Sequence, residues 1–322
     1  MPTDISAEFT DISAHQLPAT RNGFARALKP AEQMLIALTL GIGLLAFILA
    51  QIAGQAVAWN AFLISFAPSL GLVMLGCFVR VRRDMPRAAM AAIGTGIYIG
   101  FSGVIAILIY LRFPFDTPMI DTQLMAFDAA LFGYSWDGFT SAMAAYPALG
   151  KAIGAIYGTS LAQLFVVIFI LSFLGRLVDL HRLLITGTLS LLLAVAFWWV
   201  WPSIGPSAYV ALSPDVETAL GLVHGQAEGS RLMHLATTGV PLISPEVIMG
   251  TIAFPSYHTV MLCLSVGFVW GTWAFWPMLV LNLGMLPAIL SHGGHHVSDM
   301  LGGFVAFAIA FLIAVKLVAR RT

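Results

Sequence analysis

Long apolar runs, separated by short polar joints, dominate this chain and leave it one kind of environment in which to fold. A helix needs about 20 apolar residues to cross the hydrocarbon core of a bilayer. With no water there, each spanning segment must close its own backbone hydrogen bonds, which a helix does. Runs of that kind cover residues 34–53, 58–79, 88–111, 152–174, 183–201, 257–276 and 297–317, with a shorter one at 277–290. Only 9% of the 322 residues are charged, against about 25% in soluble domains. The pattern predicts an all-α fold, a polytopic membrane helix bundle of about eight transmembrane helices.

The joints carry the rest of the information. Residues 1–30 are polar and mixed in charge, with no apolar start, and read as a disordered cytoplasmic tail ending in Arg21, Arg26 and Lys29. Residues 31–87 then form two N-terminal transmembrane helices, and 88–322 the remaining membrane body. Segment 112–151 holds Asp116, Asp121, Asp128 and Asp137 among aromatics; it is too polar to span and predicts short helices lying on the membrane surface. A second polar segment, 202–252, follows the interfacial tryptophans Trp198, Trp199 and Trp201. His224 and His234 read as ordinary loop residues within it. Placing the N-terminus in the cytoplasm puts twelve of the fifteen Lys and Arg residues inside, leaving Arg112, Lys151 and Arg231 outside with nine acids. That asymmetry follows the positive-inside rule and predicts both termini in the cytoplasm. The scattered charges form no basic face for nucleic acid. Cys77 and Cys263 lie in apolar runs and read as small buried hydrophobes.

Two stretches place histidine where helices should meet water, both on the outer face. In AFPSYHT, residues 253–259, Pro255 suits a first helical turn and Ser256 a cap. A helix start offers free N–H groups to a phosphate, with His258 at its rim; the same residues also suit a plain capped helix with an interfacial histidine. In SHGGHHVSDMLGG, residues 291–303, His295 and Asp299 stand four apart on one helical face. The carboxylate can take the imidazole N–H and leave the other ring nitrogen nucleophilic. Gly293 and Gly294 allow close backbone approach, and Gly302 and Gly303 suit helix packing. His292, His295, His296 and Asp299 also have a spacing that a metal could use, although adjacent histidines point about 100° apart on a helix.

These stretches resemble the type-2 phosphatidic acid phosphatase superfamily, which includes vanadium haloperoxidases and carries PSxH and HxxxD at two helix entrances. Here they stand as Pro255–Ser256–Tyr257–His258 and His295–Asp299. The resemblance implies a six-helix phosphatase-like core within 88–322. It assigns His295 as nucleophile, Asp299 as its orienting carboxylate, His258 as the acid for the leaving oxygen and Ser256 as a phosphate contact, with no cofactor and no metal. The family's KxxxxxxRP motif is absent, and Ala288 and Ile289 stand where a serine and an arginine are usual. Arg231 is the expected replacement cation, ahead of Arg112 and Lys151. A branch resembling inositol phosphorylceramide synthases also lacks those cations and carries an Asp-x-x-Leu-Phe-Gly element. That element appears here as DAALFG, 128–133, where Asp128 is expected to cap or anchor a surface helix; a Gly-Pro-rich segment at 202–209 is similarly placed. The expectation is a lipid phosphatase or head-group phosphotransferase of a bacterial inner membrane, acting on a phospholipid or other lipid phosphate at the periplasmic side through a phosphohistidine. A metal-dependent membrane hydrolase and a non-catalytic transporter or binding protein with a degenerate core are the alternatives.

Overall fold

The computed structural model describes residues 27–319, and among them every regular element is helical. Proline opens several helices, as suits a position whose N–H has no intrahelical partner. Helix α1 (Pro30–Ala53) starts this way, with Glu32 accepting from the Lys29 N–H at 2.7 Å, and ends at Gly54 in the left-handed region. Helices α2 (Trp59–Arg82) and α3 (Pro86–Tyr110) complete an N-terminal trio. Two short helices follow, α4 (Asp121–Phe132) and α5 (Trp136–Ala144), then α6 (Pro147–Gly158) and α7 (Ser160–Phe173). Helix α8 (Leu177–Val200) leads into an irregular stretch containing α9 (Pro214–Leu220) and α10 (Gln226–Thr238). The chain closes with α11 (Tyr257–Gly267), α12 (Phe275–Ser291) and α13 (Val297–Ala319).

The fold is the all-α membrane bundle that the apolar runs predict, with differences at its joints. Helices α1, α2, α3, α8 and α13 are each long and apolar enough to span. The run at 152–174 is not one straight helix: α6 and α7 meet at a bend of 52°, and together they make a sixth candidate span. The runs at 257–276 and 277–290 become two shorter apolar helices of 11 and 17 residues, joined by a turn over 268–274. Helix α8 begins six residues before its apolar run, because Arg176 and Asp179 pair at 2.7 Å across its first turn. Outward residues such as Leu40, Ile52, Ile64, Leu70, Val280 and Leu312 are exposed, the surface expected of helices solvated by lipid.

Inside the bundle, α11 touches α7, α8, α12 and α13, while α13 lies along α8 and α12 along α6. Leu35, Ile93, Ile168, Leu171, Leu180, Ile185 and Leu264 fill the middle. At one end Phe113, Phe115 and Trp198 pack ring on ring, with centroids 5.0 to 5.6 Å apart. The Tyr110 hydroxyl donates to Val247 O and accepts from Met249 N, both at 2.8 Å, which ties the irregular 245–252 stretch to α3. At the opposite end Glu32 takes both guanidinium branches of Arg80 at 2.7 and 2.8 Å, with His181 Nε2 at 3.4 Å.

Helices α2 and α3 are in close contact through small residues. Ser69 Oγ donates to Gly96 O at 2.7 Å, and a Cβ on Gly96 would stand 2.7 Å from Ser69 O and 2.8 Å from Val73. Gly96→Leu is therefore expected to push the two helices apart and to cost about 1–3 kcal/mol, read as a lower unfolding temperature in detergent.

Candidate active site

Both histidine motifs sit at the same end of the bundle, held together by main chain as well as side chains. Ser256 caps α11, its Oγ accepting from Thr259 N at 3.4 Å, and its own N–H donates to the carbonyl of Asp299 at 2.9 Å. A Cβ on Gly303 would collide with the carbonyl oxygen of Ser256, so glycine there lets α13 lie directly against the start of α11. The packing role expected of that glycine is what the structure contains.

The side chains then converge. His295 Nδ1 donates to Asp299 Oδ2 at 2.9 Å, and the same oxygen accepts the His296 N–H at 2.9 Å. With Nδ1 protonated, Nε2 of His295 keeps its lone pair, and it lies 3.5 Å from Ser256 Oγ. His258 stands across from it, ring centroids 5.8 Å apart at 65°. Tyr157, from the last turn of α6, stacks on His258 at 4.5 Å with its hydroxyl oxygen 3.4 Å from Nδ1. These rings line a small hollow of about 30 Å³ together with His224, Ser207, Gly293 and Gly294.

The loops around the hollow are fixed by two carboxylates from α4. Asp121 and Asp128 are seven residues apart, hence on one face, and both are fully buried. Asp121 accepts from Ser203 Oγ, Ile204 N, Gly205 N and Tyr209 Oη at 2.7 to 3.3 Å, gathering the 202–209 loop. Gly205, at φ +90°, brings its backbone against the carbonyl of Gly294, where a Cβ would stand 2.5 Å away. Asp128 accepts from Val297 N at 2.5 Å and Ser298 N at 3.1 Å. Asp128 thus caps α13, a distant helix, rather than the end of its own.

Other residues singled out by spacing fall elsewhere. Arg231 on α10 is exposed, with Nη2 3.5 Å from Val247 O, and it does not line the hollow. Arg112 pairs with Asp116 at 2.8 Å. His292 turns toward Leu220 O at 3.3 Å and Ser291 Oγ at 2.9 Å, while His296 faces Asp121, so the histidines of the 292–299 stretch diverge. Among the described residues no group of three His, Cys, Asp or Glu side chains is placed to share one metal ion. Nothing in the sequence marks Tyr157, and His224 reads there as an ordinary loop residue. His224 meets the edge of Tyr157 at 6.0 Å, and burial together with nearby His295 lowers its pKa to about 4.

A helical membrane bundle with an aspartate-held imidazole opposite a second imidazole fits membrane proteins of phosphatase type, and the family comparison agrees. The chain belongs to the PAP2 superfamily, whose family profile matches residues 122–313. That match runs from α4 into α13 and takes in both histidine motifs. No curated protein matches the chain, and no solved structure does.

Two outcomes follow from these bonds. Asp128→Ala strands two buried N–H groups and is expected to cost about 1–3 kcal/mol, seen as a lower unfolding temperature, with Asp128→Asn recovering part. His224 is neutral when folded, whereas the unfolded chain binds a proton near the ordinary value of 6.5. Stability should therefore fall as pH drops from 6.5 toward 4, and His224→Gln should flatten that part of a stability–pH curve.

Proposed function

We propose that the protein is an integral membrane enzyme that breaks phosphate esters of lipids through a phosphohistidine on His295. The observation that carries this reading is the pair of imidazoles facing one hollow, one of them fixed through Nδ1 by Asp299. Nε2 of His295 attacks phosphorus while the ester P–O bond breaks, and His258, carrying a proton brought in with the monoprotonated phosphate ester, gives it to the departing oxygen. His258 then takes a proton from water or from an acceptor hydroxyl. The oxygen so activated attacks the phosphohistidine and frees His295. Water gives hydrolysis; a lipid hydroxyl gives head-group transfer.

No lysine or arginine lines the hollow among the described residues, so the phosphoryl charge must be met in other ways. In this reading Ser256, whose Oγ lies 3.5 Å from His295 Nε2, and the N–H groups in the first turn of α11 meet that charge. The DAALFG element and the 202–209 loop both bear on the site through Asp128 and Asp121, which supports the transferase-like branch. An apolar groove of about 580 Å³ runs along α13 from Ser298 to Ile309, past Phe254 and Pro255, and supports a lipid rather than a soluble ester. In this reading α1 and α2 are additions to the phosphatase-like core. The arginines near residues 80–87 and 176–182 lie at the end away from the site, which supports a cytoplasmic placement of that end and a periplasmic site.

Phosphate release from lipid phosphates in detergent, with chelator present, tests the proposal. His295→Ala should abolish turnover and His258→Ala should lower it about 10²–10⁴-fold, with vanadate inhibiting the native protein. Full activity in either variant sinks the reading. Loss of turnover on chelation would favour the metal-dependent hydrolase, and binding without turnover would favour a lipid-phosphate carrier.

A further inference from the structure

Three fully buried carboxylates crowd the start of α13: Asp121 and Asp128 from α4, and Asp299 from α13 itself. Among the described residues no lysine or arginine bonds any of them. Their partners are main-chain N–H groups, the hydroxyls of Ser203 and Tyr209, and His295. Like charges gathered in a low dielectric repel, and hydrogen bonds from neutral donors leave the net charge in place.

Three buried polar atoms there have no hydrogen-bond partner, Asp299 Oδ1, Ser298 Oγ and His296 Nε2, and of these only the imidazole can carry a positive charge. His296 is buried, and its Nε2 makes no hydrogen bond. That nitrogen lies 3.7 Å from Asp121 Oδ1, the distance of an ion contact rather than a hydrogen bond. The His296 backbone N–H meanwhile holds Asp299 Oδ2, the oxygen that orients His295. Tyr209 shares Asp121, and Tyr134 donates to the carbonyl of His295 at 3.1 Å; both are neutral phenols whose pKa burial and the carboxylates push up.

We infer that His296 is a positioning residue that acts as a fixed imidazolium, the counter-charge through which Asp121, Asp128 and Asp299 coexist and keep Asp299 aligned on His295. Burial alone lowers its pKa, but the carboxylates of Asp121, Asp299 and Asp128 outweigh burial and raise it. The sign follows: its contribution to stability is complete below the ordinary 6.5 and is lost as pH rises through the raised value. No part of this role requires His296 to touch a substrate. Its effect on turnover rests on the phosphohistidine reading, whereas its charge state does not.

The test starts with the native chain in detergent, labelled with ¹⁵N at histidine, and His296→Gln identifies the resonance. The expected result is a ring with both nitrogens protonated at pH 7, losing a proton at a pH above the ordinary value of 6.5. A neutral His296 at pH 7 overturns the inference whether or not the protein turns over lipid phosphates. For activity, His296→Gln should lower kcat about tenfold or more with KM changed less than about twofold. Removing the opposing charge in His296→Gln with Asp121→Asn should restore a substantial part of that loss. A double variant no better than the single one also overturns the inference, because a residue that only fills space would not be rescued by charge removal. If the native imidazolium is found but no turnover is seen, the charge assignment stands and the phosphohistidine reading is what fails.

Discussion

The bond between a buried carboxylate and main-chain N–H groups organises this protein. Asp121 and Asp128 project from one face of α4 into the bundle, and each spends its oxygens on backbone that has no helix or sheet partner of its own. Ionised groups that leave water are stable only when they are met by donors, and irregular backbone buried in protein has the same need for acceptors. Each requirement satisfies the other. The 202–209 loop can stay irregular because Asp121 takes its amides, and α13 can begin abruptly at Val297 because Asp128 takes the first two. From those two anchors follow the placement of His295 and Asp299, and through the Ser256–Asp299 main-chain bond, the placement of His258.

What could be read in the sequence was what repeats locally. Apolar length located the spanning helices, and four-residue spacing placed His295 and Asp299 on one face, as found. Residues whose role depends on distant partners were less legible. The break at Thr159 has no proline to announce it, so α6 and α7 read as one helix. Asp128 was visible as a capping residue but not as the cap of α13, since 169 residues separate it from Val297. Tyr157 and His224 meet only in three dimensions, and neither is flanked by anything that marks it. Two acids seven apart in a short apolar helix were the available clue, because a charged pair on one face of such a helix must find company inside. Arg231 shows the reverse case: charge and position in the chain suggested a role, while its exposed side on α10 points elsewhere.

The two ends of the bundle solve the problem of buried charge differently. Away from the site, Glu32 meets a bidentate arginine, a pairing of full opposite charges across α1 and α2, with His181 of α8 alongside. That arrangement fixes helix against helix and asks for no further ligand. At the site end, acids are satisfied mainly by amides and hydroxyls, which leaves the local balance of charge dependent on imidazoles. Histidine thus does the work at one end that arginine does at the other, and it can also exchange protons while doing so.

The size of the hollow has its own consequence. About 30 Å³ is space for roughly two water molecules, too little for a tetrahedral group with four oxygens. His224 borders that space from a short stretch with a glycine at each end, Gly221 and Gly225, and its N–H is bonded across to His292 O at 3.1 Å. In the proposed reaction a phosphate ester would sit beside that bond, so entry and exit past this stretch are a step distinct from bond breaking.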